Sequence, residues 1–395
     1  MGIFEIRVHK LRHLKMSRRA WGNYLMIRIR YITVLVSLIL SNSIASAQST
    51  PPADASESKD VSRISTSDDD TRIDLALIKV TPETIDALSK SQTPTAQDML
   101  RMLFDHQPDL RDQLARSFAV KPSKENAVYY LRALRTDDMA TLQQCLQALL
   151  QSGAAAPEKA QDYQAVIIAG LKLSTEKADP AIQLLKKWTG KELPKNSDAE
   201  LSLAEYRTWY SEKFPNAPEA ELPQEDLEKS KFSKQQLLDI AAKSPPGDIA
   251  RGKLVFAKAT CIKCHTFFKE GERVGPDLTS IRRRFQKQEI IESVLYPSQV
   301  ISEQYQAVTI STSEGLIFSG MPLPNSGNEK QLVMLLSDAT KVVVAKDKIE
   351  DRLPSRISVM PEGLFKNLSE QEIADLFAFL ETSRSNPEPV TAAKP

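Results

Sequence analysis

From about residue 72 to residue 245, apolar side chains return every three or four positions. Met99, Leu100, Leu103 and Phe104 make one such face, and Leu142, Cys145, Leu146 and Leu149 make another, the spacing that gathers side chains on one side of a helix. The same pattern predicts helices over 163–173, 181–188, 199–214 and 233–242, separated by breaks such as Ser152-Gly153 and Gly190. Helices paired this way without a sharp repeat indicate a mainly α protein whose first folded region, 71–245, is an irregular HEAT-like stack; a plain helical bundle carries the same signature. A further helix is expected over 247–259. Between 304 and 346 the period drops to two. Val308 and Ile310 alternate with Thr and Ser, Ser313-Glu314-Gly315 reads as a turn, and strands are predicted over 316–321, 331–336 and 341–345. They form a small antiparallel β unit inserted at about 304–350. The last element is an amphipathic helix over 369–382, with Ile373, Leu376, Phe377 and Leu380 on one face and Ser369 with Glu372 as a capping box. Gly252 and Phe256, one turn apart on the 247–259 helix, are expected to meet Phe377 or Leu380, the glycine letting the backbones approach and the ring filling the gap.

The ends of the chain read differently. Arg28 and Arg30 close a basic stretch, 32–40 is an apolar run, and Ala45-Ser46-Ala47 is a small-residue cleavage site, so 1–47 is expected to be a signal peptide. The mature protein would then be periplasmic or otherwise exported. An uncleaved anchor competes with this, but the run is short of the ~20 residues a spanning helix needs, and no transmembrane span is expected after cleavage. Met16 or Met26 could be the true start. Residues 48–70 hold Ser, Asp, Pro and Thr with almost nothing apolar, which suits a disordered linker, and 385–395 reads as a disordered tail. Residues 1–47 carry 8 Lys and Arg against 1 Glu, and the rest carries 44 against 50 Asp and Glu; a strongly basic nucleic-acid binder is excluded. Three cysteines in 395 residues cannot staple a disulfide scaffold. Thirteen glycines argue against a large β-propeller and four histidines against a polynuclear metal enzyme.

Cys261-Ile262-Lys263-Cys264-His265 carries the strongest chemical signal. A C-x-x-C-H run is the attachment motif of c-type haem: each thiol forms a thioether with one vinyl group, and the adjacent histidine ligates the iron from the same loop. One haem c, covalent through Cys261 and Cys264 with His265 as metal ligand, is the expected cofactor. Three other uses compete. A thioredoxin-like pair would follow a strand and start a helix; a zinc site would need partners, of which only Cys145 and His106 remain in the mature chain; a plain disulfide suits an oxidising compartment. The sixth ligand must come from elsewhere. Met99, Met102 and Met139 fall on helix faces, Met334 in a buried strand and Met321 at a strand end before Pro322. Met360, in the loop Val359-Met360-Pro361-Glu362-Gly363 before the last helix, is the expected ligand; simple anchoring of that loop is its other reading.

Residues 252–380 resemble the cytochrome c-type haem-binding domain of planctomycete and verrucomicrobial exported proteins. The matching pieces are Cys261 to His265, Gly275-Pro276-Asp277-Leu278-Thr279, Arg283-Arg284-Phe285, Ile291-Glu292-Ser293-Val294-Leu295-Tyr296-Pro297-Ser298, the hairpin with Gly315 and Gly320, and Ser358-Val359-Met360-Pro361-Glu362-Gly363-Leu364. The resemblance covers about a third of the chain. It implies a haem-binding domain over 246–384, His265 and Met360 as the axial pair, and a Pro276 carbonyl that accepts the free imidazole N–H of His265. The β unit would be an insertion between the haem-binding loop and the methionine loop. Tyr296 stands where the family often has Asp. Many relatives fuse this domain to a β-propeller dehydrogenase, which is not visible here. A short upstream run, 184–190, is similar to the helical-repeat segment that precedes such domains.

Between 250 and 287 there are 10 Lys and Arg against 3 Asp and Glu. Arg282, Arg283 and Arg284 suit haem propionates, and the other cations suit an acidic redox partner; a solvated face balanced by nearby acids gives the same count. The function expected is that of an exported monohaem c-type cytochrome, an electron carrier more than an enzyme, taking single electrons from a partner protein such as a separate dehydrogenase. The alternatives are a haem-based peroxidase or gas-binding sensor with an open sixth position, and a helical-repeat scaffold whose haem is auxiliary.

Overall fold

The computed structural model describes residues 80–91, 93–173, 178–194, 197–242, 247–323 and 329–384. The expected signal peptide, the linker 48–70 and the tail 385–395 lie outside the described residues. Two compact units divide the chain, one holding Met1–Ile73 and Lys90–Met99, the other Asp74–Ser89 and Leu100–Pro395. Of the first, the described part is the end of α1 (Pro82–Ser91) and the start of α2 (Pro94–His106), where Ala96 and Met99 are buried.

The second unit is mostly helical with one small antiparallel sheet. Helices α3 (Arg111–Ala119), α4 (Ala127–Ala133), α5 (Met139–Ser152), α6 (Ala160–Lys172), α7 (Asp179–Thr189) and α8 (Ala199–Lys213) follow one another. Each packs against its near neighbours in sequence. The apolar face of α5, with Leu142, Cys145, Leu146 and Leu149, is fully buried. Gly153 and Gly190 close α5 and α7 at φ of 70° and 66°, left-handed positions that a side chain would strain.

The region with the Cys-x-x-Cys-His motif adds α9 (Leu227–Ser230), α10 (Lys234–Ala242), α11 (Ile249–Lys258), α12 (Ile281–Arg284), α13 (Lys287–Leu295) and α14 (Glu370–Glu381). Asp248 caps α11 through the Arg251 N–H, and the Ser369–Glu372 capping box opens α14. One core joins Phe256 and Phe267 to Ile290, Phe365, Leu376 and Leu380, and it also takes in Phe232 and Leu237. Packing around the motif therefore begins ahead of residue 246. Helix α11 crosses α14 as expected: Gly252 lies against Asp375 and Phe379, the Phe256 ring meets that of Phe379 at 5.7 Å, and Phe256 shares one core with Phe377 and Leu380. Asp375 and Phe379 are one turn apart on α14, and Leu376, Phe377 and Leu380, with Phe256 of α11, line the cavity described below.

Strands β1 (Val308–Thr312), β2 (Ile317–Pro322), β3 (Gln331–Leu335), β4 (Lys341–Ala345) and β5 (Ile349–Pro354) form a sheet in the order β4-β3-β2-β1-β5, every pair antiparallel. Ile310, Met334 and Val344 are its small core. β5 was not expected, and it carries the β unit past 350. Its sequence is charged and its side chains are almost all exposed, because it is an edge strand held by ladder bonds to β1. Among the described residues no helix is long and apolar enough to cross a membrane.

Buried polar contacts tie the helices of residues 100–213 to the motif region. Arg111, 6% exposed, donates to Glu289 at 2.9 Å and to the carbonyl of Arg284. Arg282, 1% exposed, reaches Glu381 at 2.7 Å and Asp109 at 3.2 Å. Lys234 bridges Asp137 and Glu292.

Candidate functional site

Helix α11 ends at Lys258, and Thr260, at φ 62°, turns the chain into a 3-10 turn over Cys261–Lys263. The His265 N–H donates to the Cys261 carbonyl at 2.9 Å, so both thiols and the imidazole come off one tight loop. The chain then folds back: Gly275 N–H donates to the Cys264 carbonyl at 2.6 Å and Leu278 N–H to that of Thr266 at 2.8 Å. This return brings the Pro276 carbonyl to 2.9 Å from Nδ1 of His265. A carbonyl only accepts, so Nδ1 carries the proton and Nε2 keeps its lone pair. Gly275 makes the approach feasible, since a Cβ there would lie 2.9 Å from Cε1 of His265 and 3.0 Å from Nδ1.

Burial pulls the His265 pKa down, against the Pro276 hydrogen bond, and so favours the neutral imidazole. Burial pushes the Cys261 thiol up to about 12 and raises Cys264 as well. A thioredoxin-like nucleophile has the reverse shift, and this motif follows a helix where that fold has a strand. Both cysteines are free. The residues considered as zinc partners lie elsewhere: Cys145 is buried in α5 and His106 is exposed at the end of α2. Among the described residues no three His, Cys, Asp or Glu side chains gather as a metal site.

Cys261, Cys264 and His265 line a cavity of about 1440 Å³, together with Met360. Its walls near the motif are apolar, including Leu278, Phe285, Ile290, Leu376, Phe377 and Leu380. The methionine loop is held by hydroxyls: Ser358 N–H donates to Oγ of Ser298 and Met360 N–H to Oγ of Ser358, each at 3.1 Å. Of the methionines among the described residues, only Met321 and Met360 line the cavity; Met334 is fully buried in the sheet core.

The three arginines part ways. Arg284 lines the cavity and donates to the Asp277 carbonyl at 3.3 Å. Arg283 is half-buried but does not line it, and Arg282 is taken up by Glu381 and Asp109. Successive residues on the short helix α12 point about 100° apart, so the three cannot all face one cavity.

The wall contributed by the helical region had no sequence signal. Arg135, Gln164, Lys172 and Tyr210 all line the cavity, and Gln164 donates to the Gln299 carbonyl at 3.0 Å. The Gln286–Glu289 capping box that starts α13 was legible as a Q-x-x-E spacing at a helix start. No protein-family model matches the chain, and no curated protein matches it in sequence.

Proposed function

We propose that this chain is an exported monohaem c-type cytochrome that passes single electrons between partner proteins, one of them a dehydrogenase on a separate chain. The observation that carries the reading is that Cys261, Cys264, His265 and Met360 line one largely apolar cavity, with the histidine tautomer fixed by Pro276. The residues fit the group: two thiols on one turn for the vinyls, a neutral imidazole for iron, and a thioether from a second loop. Gly275, whose Cβ would press on the ring, is the cradle that the imidazole needs. When bound, the haem supplies reversible one-electron iron chemistry. Cys261 and Cys264 hold it covalently, His265 and Met360 ligate its iron, and Leu376, Phe377 and Leu380 keep water off it. The helices of 100–213, each packed on its near neighbours, are read as an irregular HEAT-like layer over this cytochrome domain.

The test is covalent retention. The full chain, made alongside haem-maturation machinery, should keep its haem through acid–acetone extraction, and the Cys261→Ala/Cys264→Ala variant should lose it. A chain that carries no covalent haem under these conditions overturns the reading. Rapid carbon monoxide binding by the reduced protein would favour a gas-binding or peroxidase site with an open sixth position.

A further inference from the structure

Alternate residues of a strand in an antiparallel sheet bond to opposite neighbours, so the register of an edge strand shows which of its main-chain groups are left over. In β4 the ladder to β3 sets Val344 opposite Leu332 and Val342 opposite Met334. The bonds at its two ends fix the phase. Leu336 N–H donates to the Thr340 carbonyl at 2.9 Å and Lys346 N–H to the Lys330 carbonyl at 2.8 Å, so the even-numbered residues of β4 bond to β3. Across β3, Leu323 N–H donates to the Val333 carbonyl at 2.9 Å, in step with odd-numbered residues of β3 facing β2. The N–H and C=O groups of Lys341, Val343 and Ala345 therefore point outward from the sheet edge, and none has a partner among the described residues. The opposite edge is guarded. β5 carries Glu350, Asp351 and Arg352, shifts register against β1 and ends on Pro354. β4 reads Lys-Val-Val-Val-Ala, keeps one register throughout, and leaves Val343 56% exposed. An edge of that kind is a template for another strand.

We propose that β4 is the interface of a two-fold symmetric dimer, in which a second copy of this chain adds its own β4 antiparallel and the two five-stranded sheets become one. The free groups select this occupant because they are symmetric about Val343. Antiparallel pairing centred there sets Val343 opposite Val343 and Lys341 opposite Ala345, so every outward N–H meets an outward C=O. No like charges face each other within the strands. Past their ends the same register turns the exposed Asp338 of each copy toward the Lys346–Lys348 turn of the other, which carries two lysines against one aspartate. Val342 and Val344 then lie opposite one another across the dyad and carry the small core of Ile310, Met334 and Val344 from copy to copy. Ser337, Asp338 and Ala339, in the turn between β3 and β4, also line the cavity, so the shared edge runs beside its rim. The dimer goes beyond the electron-transfer reading and needs no haem to form.

The experiment is sedimentation velocity on the full chain over a series of concentrations, with Val343→Pro, Val343→Lys and, as control, Val128→Lys at a comparably exposed valine of α4. The Val343 N–H points outward, so proline removes no bond to β3, and lysine sets two like charges together at the dyad. The unaltered chain and the control should pass from monomer to dimer as concentration rises, and both Val343 variants should stay monomeric. Val343→Lys serves if Val343→Pro fails to fold. Amide exchange tests the register. The N–H groups of Lys341, Val343 and Ala345 should exchange faster on dilution, while those of Val342 and Val344 stay protected throughout. An unaltered chain that is monomeric at every concentration overturns the proposal, as does a dimer that both Val343 variants retain. Growth past the dimer without limit also overturns it, because that is the mark of β4 adding head-to-tail to β5. The Cys261→Ala/Cys264→Ala chain separates this proposal from the haem reading: a dimer there, lost on Val343→Lys, stands even if the unaltered chain carries no haem.

Discussion

A Cβ on Gly252 would lie 2.0 Å from the carbonyl oxygen of Asp375 and 2.7 Å from Cβ of Phe379. The helix that leads into the Cys-x-x-Cys-His loop and the last helix therefore approach backbone to backbone at this crossing. Alanine in an unconstrained helix interior would gain about 0.5–1 kcal/mol over glycine. Here the two helices must move apart, so Gly252→Ala should destabilise the fold by about 1–3 kcal/mol. Urea denaturation gives the sign directly, and a neutral or stabilising result would mean that the crossing is looser than described.

The same crossing has an ionic lock whose acid limit is defined. Asp375, 2% exposed, accepts from Arg251 at 2.7 and 3.0 Å, from the Asp248 N–H at 2.7 Å and from Gln371 at 2.9 Å. The Arg251 hydrogen bond, aided by the Asp248 N–H and Gln371, holds its carboxyl at about 2, against burial. A folded-state pKa below the unfolded value of about 3.9 stabilises the fold above that value. The contribution, about 2 kcal/mol, is lost as the pH falls from about 4 through 2. Thermal unfolding midpoints should drop across that window, and Asp375→Asn should flatten this part of the profile while lowering stability at pH 7.

Arg111 joins distant parts of the chain, since its guanidinium meets Glu289 while its Nε donates to the Phe104 carbonyl at 3.3 Å. Glu289 also accepts from the Gln286 N–H at 2.7 Å, so it starts α13 as well. Removing one partner leaves a charge out of water, which costs about 3–5 kcal/mol for buried pairs. Arg111→Ala should approach that loss. In a double-mutant cycle with Glu289→Gln the combined loss should fall short of the sum of the single ones; simple additivity would show that the two groups are not coupled.

Local signals in the sequence were enough for most of this architecture. The three-and-four spacing of Leu142, Cys145, Leu146 and Leu149 marked a face that is in fact fully buried, and Ser369 with Glu372 marked a helix start that carries both capping bonds. β5 was hidden because an exposed edge strand needs ladder bonds but no apolar alternation. The site divides in the same way. Cys261, Cys264 and His265 stand out by adjacency and Met360 by its loop, and all four line the cavity. Arg135 and Arg284 are 149 positions apart in the chain, and nothing local announces that both line the same cavity. Arg282 looked equivalent to its two neighbours until helix geometry turned it toward Glu381.

Met321 and Met360 both line the cavity, and they pose the sharpest test of the ligand assignment. Met321 belongs to β2, where its backbone pairs with Leu335, so the ladder fixes where its side chain starts. Met360 sits in a loop tied down by Ser298 and Ser358, which leaves its side chain free of strand constraints. If Met360 supplies the thioether, the oxidised protein should show a weak near-infrared sulfur-to-iron charge-transfer band, and the reduced protein should react poorly with carbon monoxide. Met360→Ala should abolish the band, lower the potential and open the iron to added ligands, because a soft thioether favours the ferrous state. Met321→Leu conserves volume and should leave all three properties in place, as should Met334→Leu in the sheet core. The reverse pattern, with the band lost in Met321→Leu and kept in Met360→Ala, would move the ligand to the sheet and make the β insertion, rather than the loop before α14, the element that completes the site.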